Sequence, residues 1–230
     1  MLDRLELLVG KDNIEKIKNT KVLLIGIGGV GGYALESLVR SGIENITIVD
    51  FDKIDKTNLN RQIISLNSNI GKYKVEEAKK RISDINPNCK LKIIKEKITE
   101  ENFDILNIEK YDYVIDACDT ISVKKEIIRK CTKNKIKFIS SMGTGYKLNP
   151  SKLEIIDIRK TSYDPIAKII RKMVKEEKIK EKVMVVCSSE KNIKTNSKVI
   201  ASNSFVPATS GLLCTSYVIN SIVGDSIEKK

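Results

Sequence analysis

Gly26, Gly28, Gly29 and Gly31 fall in the run Gly26-Ile27-Gly28-Gly29-Val30-Gly31-Gly32, directly after the apolar segment Lys21-Val22-Leu23-Leu24-Ile25. Glycines at this spacing, between a strand and a helix, permit a tight turn and bring backbone N–H groups to an anion at the helix N-terminus. That is the chemistry of a phosphate cradle. Asp50 follows Gly28 by 22 residues and closes a second apolar run, Ile46-Thr47-Ile48-Val49. A carboxylate there is placed to accept hydrogen bonds from a ribose. These features alone suit a dinucleotide. The stretch Asn58-Leu59-Asn60-Arg61-Gln62, entered through Asp50-Phe51-Asp52, adds side-chain donors just past the ribose position, which suit a triphosphate. Arg61 offers a planar fork to phosphate oxygens.

Such residues act together only if a fold brings strand ends to one edge. Strand patterns at about 21–25, 45–49, 91–95, 111–115 and 137–141 alternate with helical ones at about 11–18, 30–41, within 67–86, and 121–134. In 67–86 the apolar positions Val75, Ala78, Ile82 and Ile85 keep helical spacing, and Pro87 ends the run. The alternation predicts an α/β fold, a doubly wound, mostly parallel sheet of Rossmann type, with ligands at the carboxyl ends of its strands. After Gly145 the pattern changes to a strand at 153–158, a charged helix at about 165–181, a strand at 183–187 and a polar loop at 188–198. This half is expected to add antiparallel strands, and the loop is expected to be mobile. Residues 1–230 read as one domain, with a nucleotide-binding part at about 1–145 and an acceptor and dimer part at about 146–230.

Composition narrows the chemistry. Lysine and arginine number 42 against 30 acidic residues, a net charge of +12. Such an excess favours polyanionic partners, nucleic acid above all, although a lysine-rich solvated surface gives the same sum. The five cysteines (Cys89, Cys118, Cys131, Cys187, Cys214) are never closer than 13 residues, and histidine is absent. No zinc site of the usual spacing is expected, nor a disulfide framework, and a reduced, cytoplasmic setting fits. Without histidine there is no Ser-His or Cys-His nucleophile system. The first residues, Met1-Leu2-Asp3-Arg4, lack the layout of a signal peptide. Residues 205–224 carry no formal charge over 20 positions, long enough to consider a membrane span. Pro207 and the polar residues among them make a buried or subunit-interface helix the expectation, with no span.

The combined segments 26–32, Asp50 to Gln62, Gly71-Lys72-Tyr73-Lys74 and Asp116-Ala117-Cys118-Asp119-Thr120 resemble the ubiquitin-activating-type adenylating enzymes, including bacterial activators of molybdopterin and thiamine sulfur carriers. The resemblance spans essentially the whole chain. It implies ATP and Mg²⁺ as cofactors, with Asp50, Asp52, Asn58, Arg61, Gln62, Lys74, Asp119 and Thr120 joining the glycines at the nucleotide. By this resemblance Lys74 is a point charge on the transferring phosphoryl group and Asp119 the Mg²⁺ ligand. Asp116 is the alternative carboxylate, and Thr120 serves equally as N-cap of the following helix. Arg4 matches an N-terminal arginine that reaches into the partner subunit's site, which implies a homodimer; a terminal residue without a role is the other reading.

The stretch Lys160-Thr161-Ser162-Tyr163-Asp164-Pro165-Ile166-Ala167 resembles one branch of that family, which dehydrates threonylcarbamoyladenosine at position 37 of tRNA. The implied partners are tRNA and a sulfur-relay or cysteine desulfurase protein. Cys187 is readable as an acceptor cysteine or as a buried thiol. Two basic clusters compete for RNA: Lys124, Lys125, Arg129, Lys130, Lys133, Lys135 and Lys137 by net charge, and Lys168, Arg171, Lys172, Lys175, Lys178, Lys180 and Lys182 by resemblance. The rival readings are an adenylyltransferase acting on the C-terminal glycine of a ubiquitin-like sulfur carrier, an NAD-binding oxidoreductase, and a non-enzymatic scaffold.

Overall fold

The computed structural model describes residues 1–197 and 199–224. Seven strands form one sheet: β1 (Lys21–Ile25), β2 (Asn45–Val49), β3 (Lys90–Ile94), β4 (Tyr113–Asp116), β5 (Lys137–Ser141), β6 (Leu153–Asp157) and β7 (Met184–Ser188). Their spatial order is β3-β2-β1-β4-β5-β7-β6. All neighbours run parallel except β6, which lies antiparallel on β7 at the edge. The expected doubly wound sheet is present, with the antiparallel addition confined to β6. β7 itself continues the parallel set from β5.

The central strands are apolar without a polar alternation because both faces are covered. Val22 and Leu24 of β1 face one layer, Leu23 and Ile25 the other. The first layer holds α2 (Lys11–Asn19), α3 (Gly31–Arg40), α4 (Lys74–Ile85) and α7 (Phe205–Val223). The second holds α5 (Ile121–Lys133) and α6 (Pro165–Glu176), with short 3₁₀ turns over 103–110. Among the described residues α7 is the one helix long and apolar enough to cross a membrane, yet half of it is buried against α3, α2 and the sheet. Pro207 does not interrupt it. It sits in the first turn, where a missing N–H is tolerated.

Two elements differ from expectation. An additional helix, α1 (Asp3–Val9), precedes α2 and buries no residue. The helix expected to 181 stops at Glu176, because Lys178 takes a left-handed conformation at φ 53°. Lys178 N–H donates to the Lys175 carbonyl and Ile179 N–H to that of Val174, so the chain reverses and returns Ile179 to the core beside Val174. The start of the polar segment after β7 is held by Glu190, which accepts from the N–H groups of Leu148 and Asn149. Ile193 N–H donates to the Tyr146 carbonyl. Lys198, within that expected loop, and residues 225–230 lie outside the described residues.

Candidate functional site

A cleft of about 420 Å³ opens at the carboxyl ends of β1, β2, β4 and β5. Gly26, Gly28, Gly29, Asp50, Asp52, Asn58, Arg61, Gln62, Lys74, Asp119 and Thr120 all line it. Gly31 lies behind this wall, with a structural reason to be glycine. A Cβ there would stand 1.8 Å from the Gly26 carbonyl oxygen. Gly26 itself has φ +91°, and a Cβ would come within 2.7 Å of the Ala117 carbonyl oxygen. The loop from β1 thus presses against the loop from β4. Arg4 is exposed on α1 and does not line the cleft.

Asp50 at the end of β2 holds the glycine loop in place. Its carboxylate accepts from Ile27 N–H at 2.7 Å and from Asp52 N–H at 2.8 Å. Burial holds this carboxyl above its ordinary pKa, against the nearby Lys74 charge and those two N–H bonds. Lys74 opens α4, where the helix dipole disfavours a cation. It is not a solvated lysine: it is buried and donates to Asp52 at 2.7 Å. Arg61 donates to the Thr57 carbonyl at 2.7 Å and to Asn60 Oδ1 at 2.9 Å, which sets its side chain along the wall near Gly29. Asn58 Oδ1 accepts from Asp55 N–H, closing the turn that carries this cluster. Gln62 is buried, and its Oε1 has no partner among the described residues. An unmet buried acceptor costs about 1–3 kcal/mol, and on a cleft wall it suits a donor from a bound molecule.

The two candidate carboxylates of the β4 exit are separated sharply. Asp119 is exposed on the rim of the cleft. Asp116 is fully buried, and it accepts from Lys124 Nζ at 2.9 Å, Ser140 Oγ at 2.5 Å, and both the N–H and thiol of Cys118. With its lone pairs taken, Asp116 is no alternative metal ligand. Thr120 occupies the N-cap position of α5 but makes no side-chain capping bond.

A model of the ThiF family matches residues 2–225. The chain belongs to this family. It is 40% identical to the tRNA threonylcarbamoyladenosine dehydratase of Bacillus subtilis, over 96% of this chain and 94% of that protein. A crystal structure of the Escherichia coli tRNA N6-threonylcarbamoyladenosine dehydratase with AMP superposes with a TM-score of 0.91 at 31% identity, covering 98% of this chain and 95% of that one. The same E. coli enzyme with ATP gives 0.91 at 30% identity, covering 100% and 96%.

Several cleft residues escaped the sequence reading. Glu96, Lys97 and Ile98 follow β3, Ser141 ends β5 and residues 142–145 follow it, and Ile200, Ser202 and Pro207 arrive from the segment before and into α7. Gly143-Thr144-Gly145, at the end of a parallel strand, carried a usable signal. Ile200 and Ser202 carried none. Arrival from a distant irregular segment depends on contacts such as Tyr146 N–H with the Ala201 carbonyl.

Three cations of the α5 cluster are paired within the molecule, while Lys133, Lys135 and Lys137 are exposed. Lys124 is buried in the ion pair with Asp116. Arg129 is held by Glu177 at 2.7 Å and Glu126 at 3.3 Å, and Lys130 by Asp104 at 2.8 Å. In α6, Lys168, Lys172 and Lys175 are exposed, and the helix begins where Ile166 lines the cleft. The thiols are quiescent. Burial pushes Cys187 up to about 12, Cys214 to about 12 and Cys89 to about 11. Burial and the neighbouring Asp116 likewise raise Cys118 well above the ordinary range.

Proposed function

We propose that this chain catalyses the ATP-dependent dehydration of N6-threonylcarbamoyladenosine at position 37 of tRNA. The observation that carries the reading is the match along nearly its full length to proteins of that activity. The cleft agrees with it, since phosphate-binding side chains gather there while every thiol is held protonated. The threonyl carboxylate of the substrate attacks the α-phosphorus of ATP, and pyrophosphate leaves. The substrate's own carbamoyl group, losing a proton, then closes on the activated carbonyl and releases AMP. The base gains a ring and loses the elements of water. Intramolecular closure gains from proximity and needs no protein nucleophile, which fits a chain without histidine.

In this scheme the loop carrying Gly26, Gly28, Gly29 and Gly31 presents N–H groups to the phosphates, and Asp50 accepts from the ribose hydroxyls. Asn58, Arg61, Gln62 and Lys74 line the path of the β- and γ-phosphates, with Asp52 holding Lys74 extended. Mg²⁺ would be held by Asp119 together with phosphate oxygens and water, a donor set suited to a hard cation. It would neutralise charge developing on the leaving pyrophosphate. Arg4 is proposed to act across a homodimer. The exposed Leu7 and Leu8 of α1 support contact with a second copy. Residues of about 1–145 form the nucleotide part, and those of about 146–230 the acceptor and dimer part, with tRNA along α6. A cytoplasmic location follows from that substrate. A sulfur-relay or cysteine desulfurase partner has no support in the cleft, whose one lining cysteine, Cys118, is bonded to Asp116.

The test is mass spectrometry of nucleosides from modified tRNA treated with protein, ATP and Mg²⁺. The expected product is threonylcarbamoyladenosine lighter by one water, and its absence with folded protein that binds ATP overturns the reading. Cys187→Ala should keep most of this activity. An acyl group trapped on Cys187 would instead favour the carrier-activating rival.

A further inference from the structure

Lys124 and Lys147 are the largest fully buried side chains among the described residues, and the reaction scheme above gives Lys124 no part. It sits in the second turn of α5 and forms part of the cleft wall. Its Nζ donates to Asp116 at 2.9 Å and lies 3.4 Å from Ser140 Oγ, which also donates to Asp116. Asp116 ends β4 and Ser140 lies near the end of β5, so three elements meet at one carboxylate. From these ends leave the two loops that face each other across the cleft. One runs from Ala117 to Thr120 and carries Asp119; the other runs from Ser141 to Gly145. The second Asp116 oxygen takes Cys118 N–H at 3.1 Å, fixing the first peptide of the Asp119 loop.

We infer that Lys124 is a positioning residue: through Asp116 and Ser140 it locks the β4 and β5 exits together and so sets where Asp119 stands at the cleft rim. The physical case rests on cost. A lysine and an aspartate withdrawn from water are stabilising only when every donor and acceptor is matched, and a well-packed apolar pair would serve stability as well. A structural role alone therefore gives weak reason for ions at this point. A network whose geometry is rigid and directional gives a better one, because it orients the groups around it. Partners that orient a metal ligand from behind carry a measurable share of metal affinity, about 10–100-fold per partner. The inference rests on the proposed place of Asp119 at Mg²⁺.

The experiment compares the full-length wild-type protein, Asp119→Ala, and the double variant Asp116→Asn with Lys124→Met, which removes both charges and leaves no unpaired ion. ATP binding is followed by calorimetry across a Mg²⁺ titration, with thermal melting as the check on folding and nucleoside mass spectrometry for turnover. The double variant should melt within a few degrees of the wild type and bind metal-free ATP about equally. It should need about 10–100-fold more Mg²⁺ to reach the same gain in ATP affinity. Lys124→Met alone should melt lower, with the same shift in Mg²⁺ response, and Ser140→Ala should move that response less. A double variant whose Mg²⁺ response equals that of the wild type overturns the inference. If Asp119→Ala loses the response in that case, Asp119 still holds the metal and only the role of Lys124 falls. If Asp119→Ala also keeps it, the assignment of Asp119 falls too.

Discussion

Helices α5 and α6 look alike in sequence and differ in how many of their cations are paired within the molecule. Both are lysine-rich and both cover the same face of the sheet. Three cations of α5 are paired within the molecule, Lys124 to Asp116, Arg129 to Glu177 and Glu126, and Lys130 to Asp104, whereas Lys125 and Lys133 have no ion-pair partner among the described residues. The cations of α6 stand in solvent. Among the described residues Lys168 and Lys175 have no ion-pair partner, and Lys172 has only Glu176 at 3.7 Å. Arg171 is the exception, turned back onto the carbonyl and hydroxyl of Thr161. Net charge summed along a segment therefore says little about charge offered to a polyanion. What counts is the charge left after internal pairing.

The contrast breaks most directly at α6. Replacing Lys168, Lys172 and Lys175 together by Glu should weaken tRNA binding by about a hundredfold or more near 0.1 M salt and lower the salt slope by roughly 0.7–0.9 per lost phosphate contact. Filter binding against salt measures both, and ATP affinity should stay unchanged. Arg129→Ala tests the other helix. It should lower stability by about 0.5–1 kcal/mol in chemical denaturation, since the guanidinium is partly exposed, while tRNA affinity stays within about twofold. A large loss of tRNA affinity there would erase the distinction drawn between the helices. Lys133→Glu, exposed near the end of α5, should change stability by less than about 0.5 kcal/mol. Its effect on tRNA binding should be smaller than that of any single α6 lysine.

Part of this contrast lay in the residue pattern, although net charge had set Lys124 among the RNA candidates. Lys124 is in helical register with Ile127, Ile128 and Cys131, all buried, so it belongs to the inward stripe of α5. A lysine on an apolar stripe signals a buried counter-ion, and Asp116 at the end of the preceding strand was the available one. The glycine loop, Asp50 and the cluster from Asn58 to Gln62 were readable for a different reason. Their placement at one cleft follows from strand ends and the turns after them, which sequence spacing encodes directly. The end of α6 was not readable. Its stop depends on Lys178 adopting a left-handed conformation without glycine, which is favoured by burial of Ile179 against a core that local sequence does not contain. Lys74 lines the cleft, and its burial against Asp52 required two loops to meet in space.

The position of β7 has a consequence for how the chain reaches this state. β6 is made before β7 yet pairs only with it, and β5 meets its outer neighbour only when Met184–Ser188 arrives. During synthesis the nucleotide-side strands can assemble in order, while β6 waits and the edge of β5 stays open. A chain cut short before Met184 would keep the glycine loop, Asp50, Arg61, Lys74 and Asp119. It would also carry an unpaired edge beside a loose strand, an arrangement that recruits other chains. Loss of the final strand and helix would then be seen as self-association of an incomplete sheet, rather than as a smaller protein that still binds its nucleotide.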